Sequence, residues 1–193
     1  MSTLASNRLL TAAEFARLPN PADGSKQELV RGEVVTMPPP SFVHGRVQVN
    51  VTFALETFLR LHPLGQLTVE SGLVTETGPD TVRGPDVAFW SFNRLPADHP
   101  VEVYPDVAAD LVAEVVSPGN TRKKVAKKLR EYFRSGVRTV WVVDPDDRTV
   151  TAYAKAGDGT VMWEDATLTG GDVLPGFNCR VSEFFRNIPE DAR

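Results

Sequence analysis

The strongest constraint on the fold is a nearly continuous apolar run, Leu111–Val116, that is interrupted by one carboxylate, Glu114. Runs of this kind are typical of central strands that are covered on both faces. A carboxylate within such a strand is costly to bury unless a cation, a metal ion or a proton compensates its charge. The run therefore predicts an α/β fold with a mixed central β-sheet in which Glu114 occupies a chemically special position.

A second carboxylate stands in a similar setting. Asp86 follows Pro85 and opens the apolar strand Val87–Trp90. Two carboxylates at converging strand ends form the oxygen-rich arrangement that a hard divalent cation such as Mg²⁺ prefers. The alternative interpretation of either residue is an ordinary solvated or salt-bridged acid. A third acid, Glu70, shows no comparable signal and is left out of the predicted site.

The charge of the chain is unevenly distributed. The net charge is −4, yet the segment Gly119–Arg138 carries eight basic residues against one acid, which leaves −11 for the remainder. Such a chain can offer one surface to a polyanion while its other surfaces repel it. The candidate contacts to a phosphate backbone are Lys123, Lys124, Lys127 and Arg130, each of which, taken singly, also fits a solvated helix face.

Several classes of protein are disfavoured by composition. Cys179 is the single cysteine, so the chain has no internal disulfide and no cysteine-built zinc site. No segment approaches the roughly 20 apolar residues that span a bilayer, and residues 1–10 have no sustained apolar stretch. We therefore expect a cytoplasmic protein without a membrane partner. Phosphate-binding glycine loops, serine-hydrolase elbows and zinc-protease helices are missing from the sequence.

The pattern of apolar residues, caps and turns predicts an alternation of helices and strands. Lys128 lies at the rim of the apolar face of a helix that follows the Glu114 strand, from which its ammonium can reach the sheet edge. No repeat or linker divides the chain, so we expect one domain over residues 1–193 with a core of about 11–185. The predicted elements are helices at Ala12–Leu18, Phe42–Leu61 and Thr121–Ser135, hairpins at Gln27–Met37 and Thr139–Ala154, and strands at Gln66–Val74, Pro85–Trp90 and Asp110–Ser117.

The order and spacing of several short segments resemble the Uma2 family of restriction-endonuclease-like proteins, within the PD-(D/E)XK nuclease superfamily. The resemblance extends from about Thr11 to Phe185. The matching segments are Glu28-Leu29-Val30 with Gly32-Glu33, His44, Pro85-Asp86, Glu114-Val115-Val116-Ser117-Pro118, Lys128 with Tyr132, Gly136-Val137 ahead of Trp141, and Leu174-Pro175-Gly176-Phe177.

The resemblance implies a restriction-endonuclease-like mixed central sheet flanked by α-helices, and a Mg²⁺-dependent or Mn²⁺-dependent endonuclease acting on DNA. It implies that Asp86, Glu114 and the backbone carbonyl of Val115 bind the metal. It also implies that Lys128 supplies the catalytic lysine. Glu28 matches an early acidic position, and His44 matches a histidine that is typical of the family. Because catalytic dimers are common among enzymes that cut two strands, we also expect a homodimer.

Two departures from the family pattern leave alternatives open. Val116 stands where the superfamily usually has its lysine, and Lys124 stands where the family often has an aspartate. A nuclease fold that binds nucleic acid or a protein with little catalysis is therefore the second hypothesis. A purely structural salt bridge between Glu114 and Lys128 is the third. The three differ in whether Asp86 and Glu114 face one pocket and bind a metal.

Overall fold

A computed structural model describes residues 8–100, 103–117, 119 and 121–189; the remaining residues of the predicted 1–193 domain lie outside this description. Within it the helices are α1 (Ala12–Phe15), α2 (Phe42–Leu61), α3 (Arg122–Ser135) and a 3-10 helix at Val181–Phe185. The strands are β1 (Lys26–Val30), β2 (Glu33–Met37), β3 (Gly65–Val69), β4 (Leu73–Glu76), β5 (Thr81–Arg83), β6 (Val87–Ser91), β7 (Leu111–Val115), β8 (Thr139–Asp144), β9 (Thr149–Lys155), β10 (Asp158–Met162), β11 (Thr167–Gly170) and β12 (Leu174–Arg180).

A six-stranded mixed sheet forms the centre of the fold. Its strand order is β10-β9-β8-β7-β6-β3, with β7 and β8 parallel and the other neighbours antiparallel. Apolar side chains of α2, among them Val51, pack on one face of this sheet. Leu129 and Tyr132 of α3 pack on the opposite face. The predicted mixed sheet with flanking helices is therefore confirmed.

A second sheet stands beside the first. It has four strands in the order β2-β1-β5-β4, and β11 and β12 form a separate pair. The β1–β2 hairpin turns at Arg31 and Gly32, which have φ values of 53° and 80°. A two-residue turn with positive φ at both positions matches the right-handed twist of the flanking strands. The predicted hairpin is confirmed in this form.

Side-chain caps fix where the two long helices begin. The Ser41 hydroxyl accepts a hydrogen bond from the His44 N–H, and the Thr121 hydroxyl accepts one from the Lys124 N–H. Gly136 ends α3 in the left-handed conformation, at φ 101°. Within the described residues, none of the helices has the length and apolar character needed to cross a bilayer.

Two predicted element bounds are wrong. Helix α1 ends at Phe15 instead of Leu18, because its last turn tightens into bonds such as Leu18 N–H to the Phe15 carbonyl. The strand predicted at Gln66–Val74 is broken at Glu70, whose φ of 55° is incompatible with extended backbone. The break sends β3 to the six-stranded sheet and β4 to the four-stranded sheet.

Candidate active site and metal centre

Three carboxylates lie side by side where three neighbouring strands end. The β6–β7 ladder pairs Val87 with Ala113, and one further step in this register sets Asp86 opposite Glu114. The β3–β6 ladder pairs Val69 with Val87, and Glu70, at the break that follows Val69, lies near Asp86, because Lys26 contacts both carboxylates. Directly opposed residues of antiparallel strands share a face of the sheet. Asp86, Glu114 and Glu70 accordingly line one cavity.

Asp86 is the middle member of this row and is 3% exposed. Its Oδ2 accepts a hydrogen bond of 2.6 Å from the Val115 N–H, while its Oδ1 lies 3.2 Å from His44 Nε2 and 3.3 Å from Lys26 Nζ. Burial by itself would raise the pKa of Asp86, but the His44 hydrogen bond and the Lys26 charge outweigh it and lower the pKa to about 2. Asp86 is therefore ionised at neutral pH.

The first two turns of α2 support Asp86 and Glu70 together. His44 is buried, and its Nδ1 lies 3.0 Å from the Ser117 hydroxyl. The Gln48 amide donates to the Asp86 carbonyl at 2.8 Å and to Glu70 Oε1 at 3.0 Å. These contacts tie the beginning of α2 to the ends of β3, β6 and β7.

Glu114 has a separate set of partners on α3. The Lys128 ammonium donates to its Oε2 at 2.9 Å and to its Oε1 at 3.2 Å, and the buried Tyr132 hydroxyl donates to Oε1. Burial raises the pKa of Glu114, and the ammonium of Lys128 acts against that rise. Although burial opposes it, the charges of Glu114 and Glu28 raise the pKa of Lys128. Lys128 therefore remains an ammonium beside Glu114.

A buried chain of charges continues from Lys128 into the four-stranded sheet. Lys128 Nζ lies 3.2 Å from Glu28 Oε1, and Arg83 connects Glu28 at 2.6 Å with Glu131 at 2.6 Å. Against the effect of burial, Lys128 and Arg83 lower the pKa of Glu28. These ion pairs join α3 to β1 and β5 of the four-stranded sheet. Since Lys128 also binds Glu114 on β7, they fix α3 against both sheets.

The cavity in front of these groups has a volume of about 1150 Å³. Its walls come from the β1–β2 hairpin, from the segment Pro38–Ser41 and from the first two turns of α3. Lys124 and Lys127 line it, whereas Lys123 and Arg130 are exposed elsewhere on α3. The four basic residues predicted to contact nucleic acid are thus divided between the cavity and the outer face of the helix.

The donor atoms suit a divalent cation. One atom each from His44, Glu70 and Asp86 can be chosen so that all three lie within 4.8 Å of one another. Carboxylate oxygens are ligands that Mg²⁺ and Mn²⁺ prefer, and the imidazole of His44 adds a nitrogen donor beside them. Asp86 and Glu70 also share a single ammonium, that of Lys26. The pair therefore keeps excess negative charge, which a bound cation would balance.

The structure brings most of the sequence-predicted residues together around one cavity. His44, Asp86, Glu114, Lys128 and Glu28 all line it, and Val115 contacts Asp86 through its N–H. Sequence reasoning missed Lys26, Glu70, Gln48 and Arg83. Arg83 is separated from Asp86 by Gly84-Pro85 alone, which is a signal that could have suggested it. Glu70 and Lys26 become neighbours of Asp86 only through long-range strand pairing.

Comparisons with known proteins agree with this architecture. The sequence profile of Uma2, described as "Putative restriction endonuclease", matches residues 12–182. A crystal structure described as "a putative nuclease belonging to DUF820", from Anabaena variabilis ATCC 29413, superposes with a TM-score of 0.76 at 21% identity. That match covers 91% of this chain and 97% of the other. None of the curated proteins matches the chain. The predicted restriction-endonuclease-like fold is confirmed.

Proposed function

Since the chain belongs to the Uma2 family, we propose that it is a metal-dependent endonuclease that hydrolyses phosphodiester bonds in DNA. The observation that carries the proposal is the row formed by Asp86 and Glu114 at adjacent strand ends, facing one cavity beside Lys128. Had the two acids faced opposite sides of the sheet, no single ion could have bound both. Their common face is what a shared cation requires.

In this proposal the cation is Mg²⁺ or Mn²⁺, held by Asp86, Glu114 and the carbonyl of Val115, with Glu70 and His44 beside them. Such an ion supplies an activated water and neutralises charge on the phosphoryl oxygens. The chain's own contribution is to hold these ligands in position and to keep Asp86 ionised. His44 and the Val115 N–H orient Asp86, while Lys128 and Tyr132 orient Glu114.

The buried ion pairs of Arg83, Glu28 and Lys128 also help to fix the position of Glu114. Arg83 holds Glu28 and Glu131, and Glu28 in turn holds Lys128. Carboxylates positioned in advance need no reorganisation as charge develops during the reaction. The basic side chains of α3 complete the proposal: Lys124 and Lys127 at the cavity and Lys123 and Arg130 on the outer face of the helix would contact the phosphate backbone. As partners we propose DNA and a second copy of the chain.

The direct test is cleavage. Purified protein is incubated with supercoiled plasmid and with linear DNA in Mg²⁺, in Mn²⁺ and in EDTA, and we expect cleavage that needs the metal. Glu114→Gln and Asp86→Asn keep the side-chain shapes and should each lower the rate by at least about 100-fold. Asp98→Asn, at an exposed position, is the matched control and should cleave as the wild type does. Cleavage that survives Glu114→Gln would remove the proposed site.

A second candidate function is a nuclease-fold module that binds DNA with little catalysis. One observation favours it: both strand carboxylates already have ammonium partners within the chain, Lys26 for Asp86 and Lys128 for Glu114. Calorimetry separates the two functions. Absence of Mn²⁺ binding at millimolar concentration, together with DNA binding in EDTA, would favour the module. Light scattering on the same samples tests the proposed homodimer.

A further inference from the structure

Lys128 has little capacity left to contact a substrate. A lysine ammonium has three donors, and three carboxylate oxygens surround this one: both oxygens of Glu114 and Oε1 of Glu28, at 2.9–3.2 Å. Both carboxylates are buried. Moving the ammonium onto a phosphate would leave two buried charges uncompensated, which is strongly unfavourable. The geometry therefore makes Lys128 a residue that positions Glu114.

Lys26 is differently placed. Its Nζ lies 2.6 Å from Glu70 Oε2 and 3.3 Å from Asp86 Oδ1, so two carboxylate oxygens surround an ammonium with three donors. Glu70 has a side chain that is 37% exposed, so water can solvate it when Lys26 departs. Lys26 also lines the cavity. Asp86 is buried, but it retains the Val115 N–H and His44 as partners, so fewer buried groups lose their partners when Lys26 departs than when Lys128 does.

The backbone makes room for this lysine. Lys26 enters from β1 of the four-stranded sheet and reaches across to Asp86 of the six-stranded sheet. It passes Gly84, where an added Cβ would lie 3.1 Å from Lys26 Cε. That distance is tighter than ordinary van der Waals contact. The absence of a side chain at residue 84 thus leaves the path of Lys26 open.

With a cation held at Asp86, two positive charges would share one carboxylate, so the Lys26 ammonium would be repelled. Lys26 would then turn away from Asp86 and into the cavity that it lines, where a phosphate would enter. This position also supplies what the sequence lacks, since Val116 replaces the lysine expected two residues after Glu114.

On the basis of the proposed nuclease function, we propose that Lys26 is a catalytic residue. In the metal-free protein it forms ion pairs with Asp86 and Glu70. With metal bound, it would donate a hydrogen bond to a non-bridging oxygen of the scissile phosphate. Lys26 stays protonated throughout and forms no covalent bond. Its contribution is the stabilisation of charge that builds up on the phosphoryl oxygens.

The test compares Lys26→Met with Lys155→Met, whose lysine lies on the exposed end of β9. Calorimetry without DNA is the first readout. Lys26→Met should bind Mn²⁺ about 10-fold more tightly than the wild type, because an internal competitor has been removed. Lys155→Met should bind as the wild type does. Unchanged or weaker Mn²⁺ binding by Lys26→Met would overturn the proposal.

Cleavage is the second readout. Lys26→Met should cut DNA about 100-fold more slowly despite its tighter metal binding, and Lys26→Arg, which keeps the charge, should recover part of the rate. Thermal unfolding checks that each variant is folded. If Lys26→Met cuts as fast as the wild type, Lys26 is not catalytic while the proposed function stands. If the wild type cuts no DNA in either metal, the proposed function fails and the proposal for Lys26 fails with it.

Discussion

The Asp86 carboxylate accepts a 2.6 Å hydrogen bond from the backbone N–H of Val115, on the neighbouring strand. Regular pairing of β6 with β7 stops one residue earlier, at Val87 and Ala113. The side chain of Asp86 thus supplies one more hydrogen bond between β6 and β7, beyond the last pair that the backbone forms. A residue proposed to bind metal is therefore also part of the sheet, and its charge affects folding.

We predict that acid weakens the folded state through Asp86. The unfolded carboxyl titrates near 3.8, whereas the folded one has a pKa of about 2. Between these values the unfolded chain binds more protons, so the stability contributed by Asp86 is complete above about pH 4 and is lost as the pH falls toward 2. The loss amounts to about 2 kcal/mol. Urea denaturation at successive pH values measures it.

The control for the pH effect is Asp86→Asn, which cannot titrate at this position. Its free energy of unfolding should vary less steeply than that of the wild type between pH 4 and pH 2. Glu28, whose pKa is also lowered, contributes to both curves and does not affect their difference. Parallel curves for the two proteins would contradict the prediction.

Removal of the buried Arg83 should be severely destabilising. Arg83→Met leaves Glu28 with Lys128 and Glu131 with a longer 3.8 Å contact to Lys127, and breaking a buried ion pair from one side costs about 3–5 kcal/mol. Chemical denaturation gives the change in the free energy of unfolding. The matched control is Arg60→Met, which breaks an exposed pair with Glu56 and should cost less than about 1 kcal/mol. Equal losses of unfolding free energy in the two variants would show that the buried ion pairs of Arg83 stabilise the fold no more than the exposed pair does.

Tyr132→Phe should lower stability by about 1–2 kcal/mol, because a buried carboxylate loses one of its donors while Lys128 is retained. Tyr153→Phe is the control, since the Tyr153 hydroxyl makes no hydrogen bond with the described part of the chain, and it should change stability by less than about 0.5 kcal/mol. Thermal and urea unfolding should rank the two variants in this order. A Tyr132→Phe protein as stable as the wild type would argue against a structural bond to Glu114.

The outer face of α3 should determine the salt dependence of DNA binding. Changing Lys123 and Arg130 to Gln should reduce the slope of log affinity against log salt by about 0.9 for each lost phosphate contact. Fluorescence anisotropy in EDTA measures binding without cleavage. Changing Arg60 and Lys155 to Gln removes the same charge elsewhere and should leave the slope nearly unaltered. Equal slopes for both double variants would exclude α3 as the DNA-binding face.

Local sequence signals predicted the elements that carry the proposed chemistry. Glu114 within its apolar run and Asp86 after Pro85 pointed to one sheet, and the structure places them opposite each other. The helical spacing of apolar residues predicted α2 at its observed bounds and α3 to within one residue. These features depend on neighbouring residues and on periodicity, which a sequence displays directly.

The partners of Asp86 could not be predicted in this way. Glu70 adjoins Asp86 because β3 pairs with β6. The strand predicted at Gln66–Val74 passes through Glu70 without a break, so this arrangement could not be foreseen. Lys26 arrives from a different sheet, 60 residues earlier in the chain. Such contacts depend on how two sheets pack, and no local pattern records that packing.

The three buried residues Gly84–Asp86 carry the chain from β5 in one sheet to β6 in the other. Arg83 immediately precedes this bridge and Asp86 is its last residue. Its length therefore sets the spacing between the ion pairs of Arg83 and those of Asp86, which belong to different sheets. Lengthening it by a single residue would disturb one of these two groups of ion pairs, because every residue of the segment is buried. The bridge thus links the register of one sheet to that of the other, so folding and the proposed chemistry depend on the same short covalent connection.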